Sequence, residues 1–137
     1  MLNGIILKKL QTMEVMLSEL RSLGMLNAAN LETDWRTRRA VERNLQVAVE
    51  AMMDICQRIL SLRGYTPVAT GSESIQRCVK LGALSAEEPY RRMVQFRNFI
   101  VHRYDQVDAA ILVEIVNRRL DDFERFIREI RSYAAAG

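Results

Sequence analysis

Between Val41 and Leu62 apolar residues return at alternating intervals of four and three: Val41, Leu45, Ala48, Met52, Ile55, Ile59 and Leu62. That rhythm matches the 3.6-residue turn of an α-helix and not the alternation of a strand. A second stripe, Val49, Met53, Cys56 and Leu60, lies beside the first. An apolar face this wide predicts a central helix, or one that also meets a partner chain. Arg63-Gly64-Tyr65-Thr66-Pro67 stops it, and Glu32-Thr33-Asp34 offers its N-terminal cap.

The rest of the chain follows the same period. Ile6, Leu10, Met13, Leu17 and Leu20 line one face of a first helix, which Gly24 and Asn27 end. A polar loop follows the long helix, and then a short helix from Ser72 or Glu73 to Leu81, closed by Gly82. Ser85-Ala86-Glu87-Glu88-Pro89 reads as the next start, with Ser85 as cap and acids in the first turn; that helix carries Met93, Phe96 and Ile100. Asp105 to Asp108 marks the start of a last helix through Leu112, Val116, Phe123, Phe126, Ile130 and Tyr133, with Arg119 a polar break in its stripe. With 6 glycines, 2 prolines and 49% apolar residues in 137, the composition also favours helices. The expectation is an all-α protein, a single domain over residues 1–137: an antiparallel bundle of four main helices plus one short helix.

Charge narrows the function classes only a little. Twenty basic residues against 17 acidic ones give +3, compatible with nucleic acid without demanding it. All but Lys8, Lys9 and Lys80 of the basic residues are arginines, the side chain whose planar fork suits phosphate. Cys56 and Cys78 form no CxxC pair, so neither a zinc site nor a disulfide framework is expected. Lys8-Lys9 interrupts the apolar N-terminal run, so no signal peptide and no membrane span are expected, and a cytoplasmic location is. Glycine-rich phosphate loops, HExxH and Ser-His-Asp patterns are absent from the sequence, and no cofactor is expected.

The chain has one histidine, His102, at the predicted junction of two helices, in Phe96-Arg97-Asn98-Phe99-Ile100-Val101-His102-Arg103-Tyr104-Asp105. A histidine can give or take a proton near neutral pH, an arginine can stabilise a phosphate whose charge grows, and an asparagine can fix a neighbour. RNA brings its own nucleophile, the ribose 2′-OH, so a base, an acid and a charge stabiliser suffice for cleavage without a metal. One histidine cannot be acid and base at once; a two-fold dimer would supply a second copy. Taken singly, each residue has an ordinary reading: His102 structural, Arg97 a surface ion pair, Tyr104 an aromatic packed on the next helix.

Arg97, four residues, His102, one residue and Tyr104 together form R-x4-H-x-Y. With Arg97-Asn98, Val101-His102-x-Tyr104-x-x-Val107-Asp108 and Leu45-Gln46-x-Ala48-x-Glu50-x-x-x-Asp54-Ile55, the chain resembles HepT toxins of the HEPN superfamily over most of its length. The resemblance implies a homodimeric, metal-independent endoribonuclease, with two motifs meeting in a cleft and tRNA or mRNA as the target. It also implies the toxin half of a type VII HEPN/MNT toxin–antitoxin system. The partner would be a minimal nucleotidyltransferase of the MntA type, an antitoxin that transfers AMP to the motif tyrosine, here Tyr104. AMP would add negative charge and bulk beside Arg97 and His102 and so repel the RNA phosphate.

Other residues carry weaker expectations. Asn98 is a candidate member of the site. Glu50 and Asp54, at i and i+4 on the long helix, are expected to orient Arg97 or its neighbours. Arg91-Arg92, about a turn and a half before the motif arginine, are candidates for holding phosphate. The cluster Arg36, Arg38, Arg39 and Arg43 reads first as a solvated face, and second as a contact for RNA or antitoxin. Two competing functions remain at this point: a non-catalytic HEPN module that binds a partner nucleotidyltransferase, and a helix-turn-helix DNA binder. Against the latter, a short recognition helix after a tight glycine turn is missing from the sequence.

Overall fold

The computed structural model describes residues 4–68, 70–103 and 108–136, the side chains of residues 102 and 103 excepted. The described residues form helices and no strand: α1 (Gly4–Ser22), α2 (Ala28–Thr33), α3 (Trp35–Leu62), α4 (Gly71–Leu81), α5 (Tyr90–Arg103), α6 (Ala109–Arg118) and α7 (Leu120–Ala136). None of them is long and apolar enough to cross a membrane.

The long periodic stretch is the axis of the molecule. α3 has 28 residues, about 42 Å of helix at 1.5 Å per residue. Its Val41, Leu45, Ala48, Met52 and Ile55 are buried, as are Val49 and Cys56 of the second stripe. The wide face is explained by its neighbours, since α1, α2, α4, α5 and α6 all pack against α3. α1 buries Ile6, Leu10, Met13, Leu17 and Leu20, the same five residues that its spacing picks out. The caps are local and chemical. Asp34 Oδ1 accepts from the Thr37 N–H at 3.1 Å and starts α3. Asp108 Oδ1 accepts from the Ala110 N–H at 2.8 Å and starts α6. Gly82, at φ +84°, closes α4 in the left-handed conformation that glycine adopts without a Cβ penalty.

Three expectations need correction. Asn27 does not merely end α1; it caps the short α2, its Oδ1 accepting from the Ala29 and Asn30 N–H groups at 2.9 and 3.3 Å. The expected last helix is two helices, because Arg119 breaks the backbone as well as the stripe: its φ/ψ of −119°/2° separates α6 from α7. Ser85 does not cap α5. Its N–H donates to Glu129 Oε1 at 2.6 Å and its Oγ accepts from Arg125 Nη2 at 2.8 Å, which ties it to α7. The capping role passes to Glu88, whose Oε2 accepts from the Arg92 N–H at 3.2 Å. The bundle therefore has seven helices among the described residues, where four main and one short were expected.

Candidate active site

The candidate residues sit where α5 runs against α3. α5 presents Arg97 and Asn98 and carries His102 in its final turn; α3 presents Glu50. Arg97 Nη2 donates to Glu50 Oε2 at 2.9 Å, and Arg97 Nη1 donates to Asn98 Oδ1 at 3.1 Å. Two of the three guanidinium nitrogens are thus fixed by different partners. The third, Nε, is buried and has no hydrogen-bond partner among the described residues. The Arg97 side chain is 22% exposed, against 37% for Glu50.

This arrangement holds a cation in place without exhausting it. A guanidinium has five N–H donors, and two are committed here. The other N–H groups on Nη1 and Nη2 take no partner among the described residues and suit an incoming oxyanion. Partial burial strengthens that interaction, because fewer waters screen the charge. A fixed, half-buried arginine is suited to a phosphate whose charge grows along a reaction.

The remaining candidates separate. Asp54 is not brought to Arg97. One turn along α3 from Glu50, it pairs with Lys9 Nζ on α1 at 3.1 Å, so the i, i+4 carboxylates serve two different neighbours. Arg91 pairs loosely with Glu87 at 3.9 Å, with its side chain 52% exposed. Arg92 lines an apolar groove of about 420 Å³ with Met93, Phe96 and Ile111. The expectations for the His102 side chain and for Tyr104 lie outside the described residues.

Glu42 was not among the sequence candidates. It is a buried carboxylate, 7% exposed, and its Oε2 has no hydrogen-bond partner among the described residues. Glu42, Gln46 and Glu50 recur at intervals of four on α3, and that polar stripe was the signal that could have found it.

The sequence model of the family described as Ribonuclease HepT-like matches residues 13–130. The chain belongs to the HepT-like ribonuclease family. A curated relative, the mRNA nuclease HepT of Shewanella oneidensis, is 26% identical over 133 residues, spanning 96% of this chain and 99% of that protein. A solved structure of a tri-AMPylated Shewanella oneidensis HEPN toxin in complex with MNT antitoxin superposes with a TM-score of 0.86. It is 25% identical and covers 96% of this chain and 99% of its own. A toxin–antitoxin structure with AMP-PNP has a TM-score of 0.84 at 24% identity, over 94% of this chain and 99% of its own, and bears on the fold alone.

Proposed function

We propose that this chain is the toxin of a toxin–antitoxin pair, an endoribonuclease that cuts RNA without a metal and is silenced by AMP on Tyr104. The observation that carries the reading is the Arg97 guanidinium, held by Glu50 and Asn98 five residues before the lone histidine of an R-x4-H-x-Y motif. The name of the curated relative, an mRNA nuclease, supports RNA as the substrate class.

In the proposed reaction the ribose 2′-oxygen attacks the neighbouring phosphorus. The bond from phosphorus to the 5′-oxygen breaks, leaving a 2′,3′-cyclic phosphate and a free 5′-hydroxyl. His102 takes the 2′-OH proton, and a second acid returns a proton to the leaving oxygen. Arg97 pairs with the non-bridging oxygens as their charge grows. Glu50 and Asn98 hold Arg97 there and touch no reacting atom. Arg91 and Arg92 add positive charge for the strand. The exposed Arg91–Glu87 pair is weak enough for a phosphate to replace.

Two copies about a two-fold axis would bring two His102 side chains to one cleft, one as base and one as acid. The groove at Met93, Phe96 and Ile111 suits such an interface. Ile111 is 43% exposed, and the rim carries both signs, Arg92 and Arg119 with Glu114 and Asp122. A surface that meets its own copy needs that self-complementarity.

Neutralisation follows from charge. The solved HEPN toxin in complex with MNT antitoxin is tri-AMPylated. On this chain the Tyr104 oxygen would attack the α-phosphorus of ATP, pyrophosphate would leave, and the phosphodiester formed would set a negative charge against Arg97. The test is RNA cleavage by the wild type, Arg97→Ala and His102→Ala, each with and without EDTA. The reading expects cleavage by the wild type in both conditions and none by either variant. Loss of wild-type cleavage on chelation would refute the metal-free mechanism, and cleavage by His102→Ala would refute the role of the histidine.

A further inference from the structure

Beyond the cleavage site, the stripe of α3 that carries Glu50 continues toward the helix start. Trp35, Arg39, Glu42, Gln46 and Glu50 are spaced 4, 3, 4 and 4, so they share one face. α5 runs antiparallel to it: Arg97 meets Glu50, while Ile100 and Val101, one turn later, meet the α3 segment from Arg39 to Gln46. Arg39, Glu42, Arg43 and Gln46 line a groove of about 390 Å³ with Ile100 and Val101, directly before His102 in the chain.

We propose that this groove is the binding track for the single-stranded RNA that leads into the cleavage site. The inference rests on the ribonuclease reading. Arg39 and Arg43 are exposed, and arginine is the residue type whose planar fork suits phosphate. Trp35, the chain's one tryptophan, is 65% exposed, with the Arg36 guanidinium 5.4 Å from its ring centroid. An exposed indole beside arginines is a platform on which an unpaired base stacks.

Glu42 is the observation that points to a ligand and not merely to a charged surface. Glu42 lines the groove, and its Oε2 is buried with no donor among the described residues. A buried acceptor left empty is costly, and a base carrying an exocyclic amino group supplies the missing N–H. Gln46, with both donor and acceptor, lies one turn further along. From Glu50 to Trp35 the track spans about 22 Å of helix axis.

Trp35 makes the test direct, because its emission reports from the track itself. Full-length protein is titrated with 2′-O-methyl oligocytidine and oligouridine of about eight nucleotides, which lack the nucleophile and cannot be cut. The expected result is saturable quenching of Trp35, with oligocytidine bound more tightly than oligouridine. Arg39→Gln/Arg43→Gln should weaken binding roughly tenfold and lower the salt slope by about 1.4, since each lost phosphate contact removes about 0.7. On cleavable RNA the same double variant should raise KM and leave kcat in place. Glu42→Gln should narrow the preference for cytidine while keeping the wild-type helix content.

Unchanged Trp35 emission, or wild-type affinity in the double variant, would overturn the track even if RNA is cut normally. That result would leave the ribonuclease reading standing and make the patch a protein-facing or solvated surface. Equal binding of the two oligomers would overturn base reading by Glu42. Quenching and cytidine preference in a protein that cuts no RNA would support the track while refuting the nuclease.

Discussion

Arg97 and Glu50 lie 47 residues apart in the chain and meet at 2.9 Å, joining the motif helix α5 to the central helix α3. The pair is partly exposed on both sides, 22% and 37%, so its contribution to stability is small, no more than about 1 kcal/mol. Its consequence is for geometry. Glu50→Ala is therefore expected to lower kcat for RNA cleavage by about 10- to 100-fold through misplacement of the guanidinium. The melting temperature should scarcely move. A matched fall in stability and activity, measured by calorimetry and initial rates, would show that Glu50 only holds the fold.

A second polar knot holds α5 to α7 and gives stability a dependence on pH. Tyr90 is fully buried, its ring edge-on to Phe126 at 5.4 Å, and its hydroxyl donates to Glu129 Oε2. Burial pushes the Glu129 carboxyl up. The hydrogen bonds from Ser85 and Tyr90, with Arg125 beside it, outweigh that and hold it below its ordinary value of 4.5. Its folded value is thus lower than its unfolded one. The stabilisation is complete above the unfolded value and is lost as pH falls through the folded one. Urea midpoints should drop on acidification below about pH 4.5 in the wild type, and less steeply in Glu129→Gln.

The alkaline side has the opposite sign. Burial, followed by the bond to Glu129, raises the Tyr90 hydroxyl well above its ordinary value of 10.0. Folding therefore favours the protonated phenol, and this contribution is lost as pH rises past that value. Tyr90→Phe removes a donor to a charged acceptor and is expected to cost about 1.5–3 kcal/mol in urea unfolding. It should also flatten the alkaline limb of stability.

Gly71 marks a close approach that a side chain would block. A Cβ there would lie 2.7 Å from Met53 Cε on α3 and 2.8 Å from Val94 Cγ1 on α5. The methionine end can yield; the branched valine cannot without moving its helix. Gly71→Ala is expected to destabilise by about 1–3 kcal/mol by overpacking. A Gly71→Ala protein as stable as the wild type in urea would show that α4 can shift outward freely.

The two cysteines are core residues. Cys56 and Cys78 are both buried, and Cys78 Sγ lies 3.6 Å from the Cys56 carbonyl oxygen. Contact with Cys78 and burial push the Cys56 thiol up, so its thiolate, the reactive form, is suppressed. A thiol reagent should leave the native protein unlabelled and label both positions once urea unfolds it. Fast labelling of native protein would place one of them at a mobile surface.

Much of this was legible because the decisive information is local or periodic. α1 and α3 follow from apolar spacing, and Asp34, Asp108 and Gly82 act as the cap residues their types suggest. Elsewhere tertiary partners override local chemistry. Ser85 resembles a cap by type, yet Glu129 and Arg125 on α7 claim both its groups. Asp54 resembles a partner for Glu50 by spacing, yet Lys9 on α1 takes it. The pairing of Arg97 with Glu50 fits the supporting role expected of the carboxylates at i and i+4 on the long helix. The burial of Glu42 needed the packing of α5 on α3, which no spacing in one helix reveals.

The central claim is an RNA-cutting site at Arg97 and His102 that AMP on Tyr104 silences. The most direct measurement is intact mass of the protein before and after incubation with a minimal nucleotidyltransferase antitoxin and ATP, followed by RNA cleavage by both forms. The account predicts a gain of AMP mass that maps to Tyr104, with cleavage present before the gain and lost after it. An unmodified protein that cuts no RNA would contradict it.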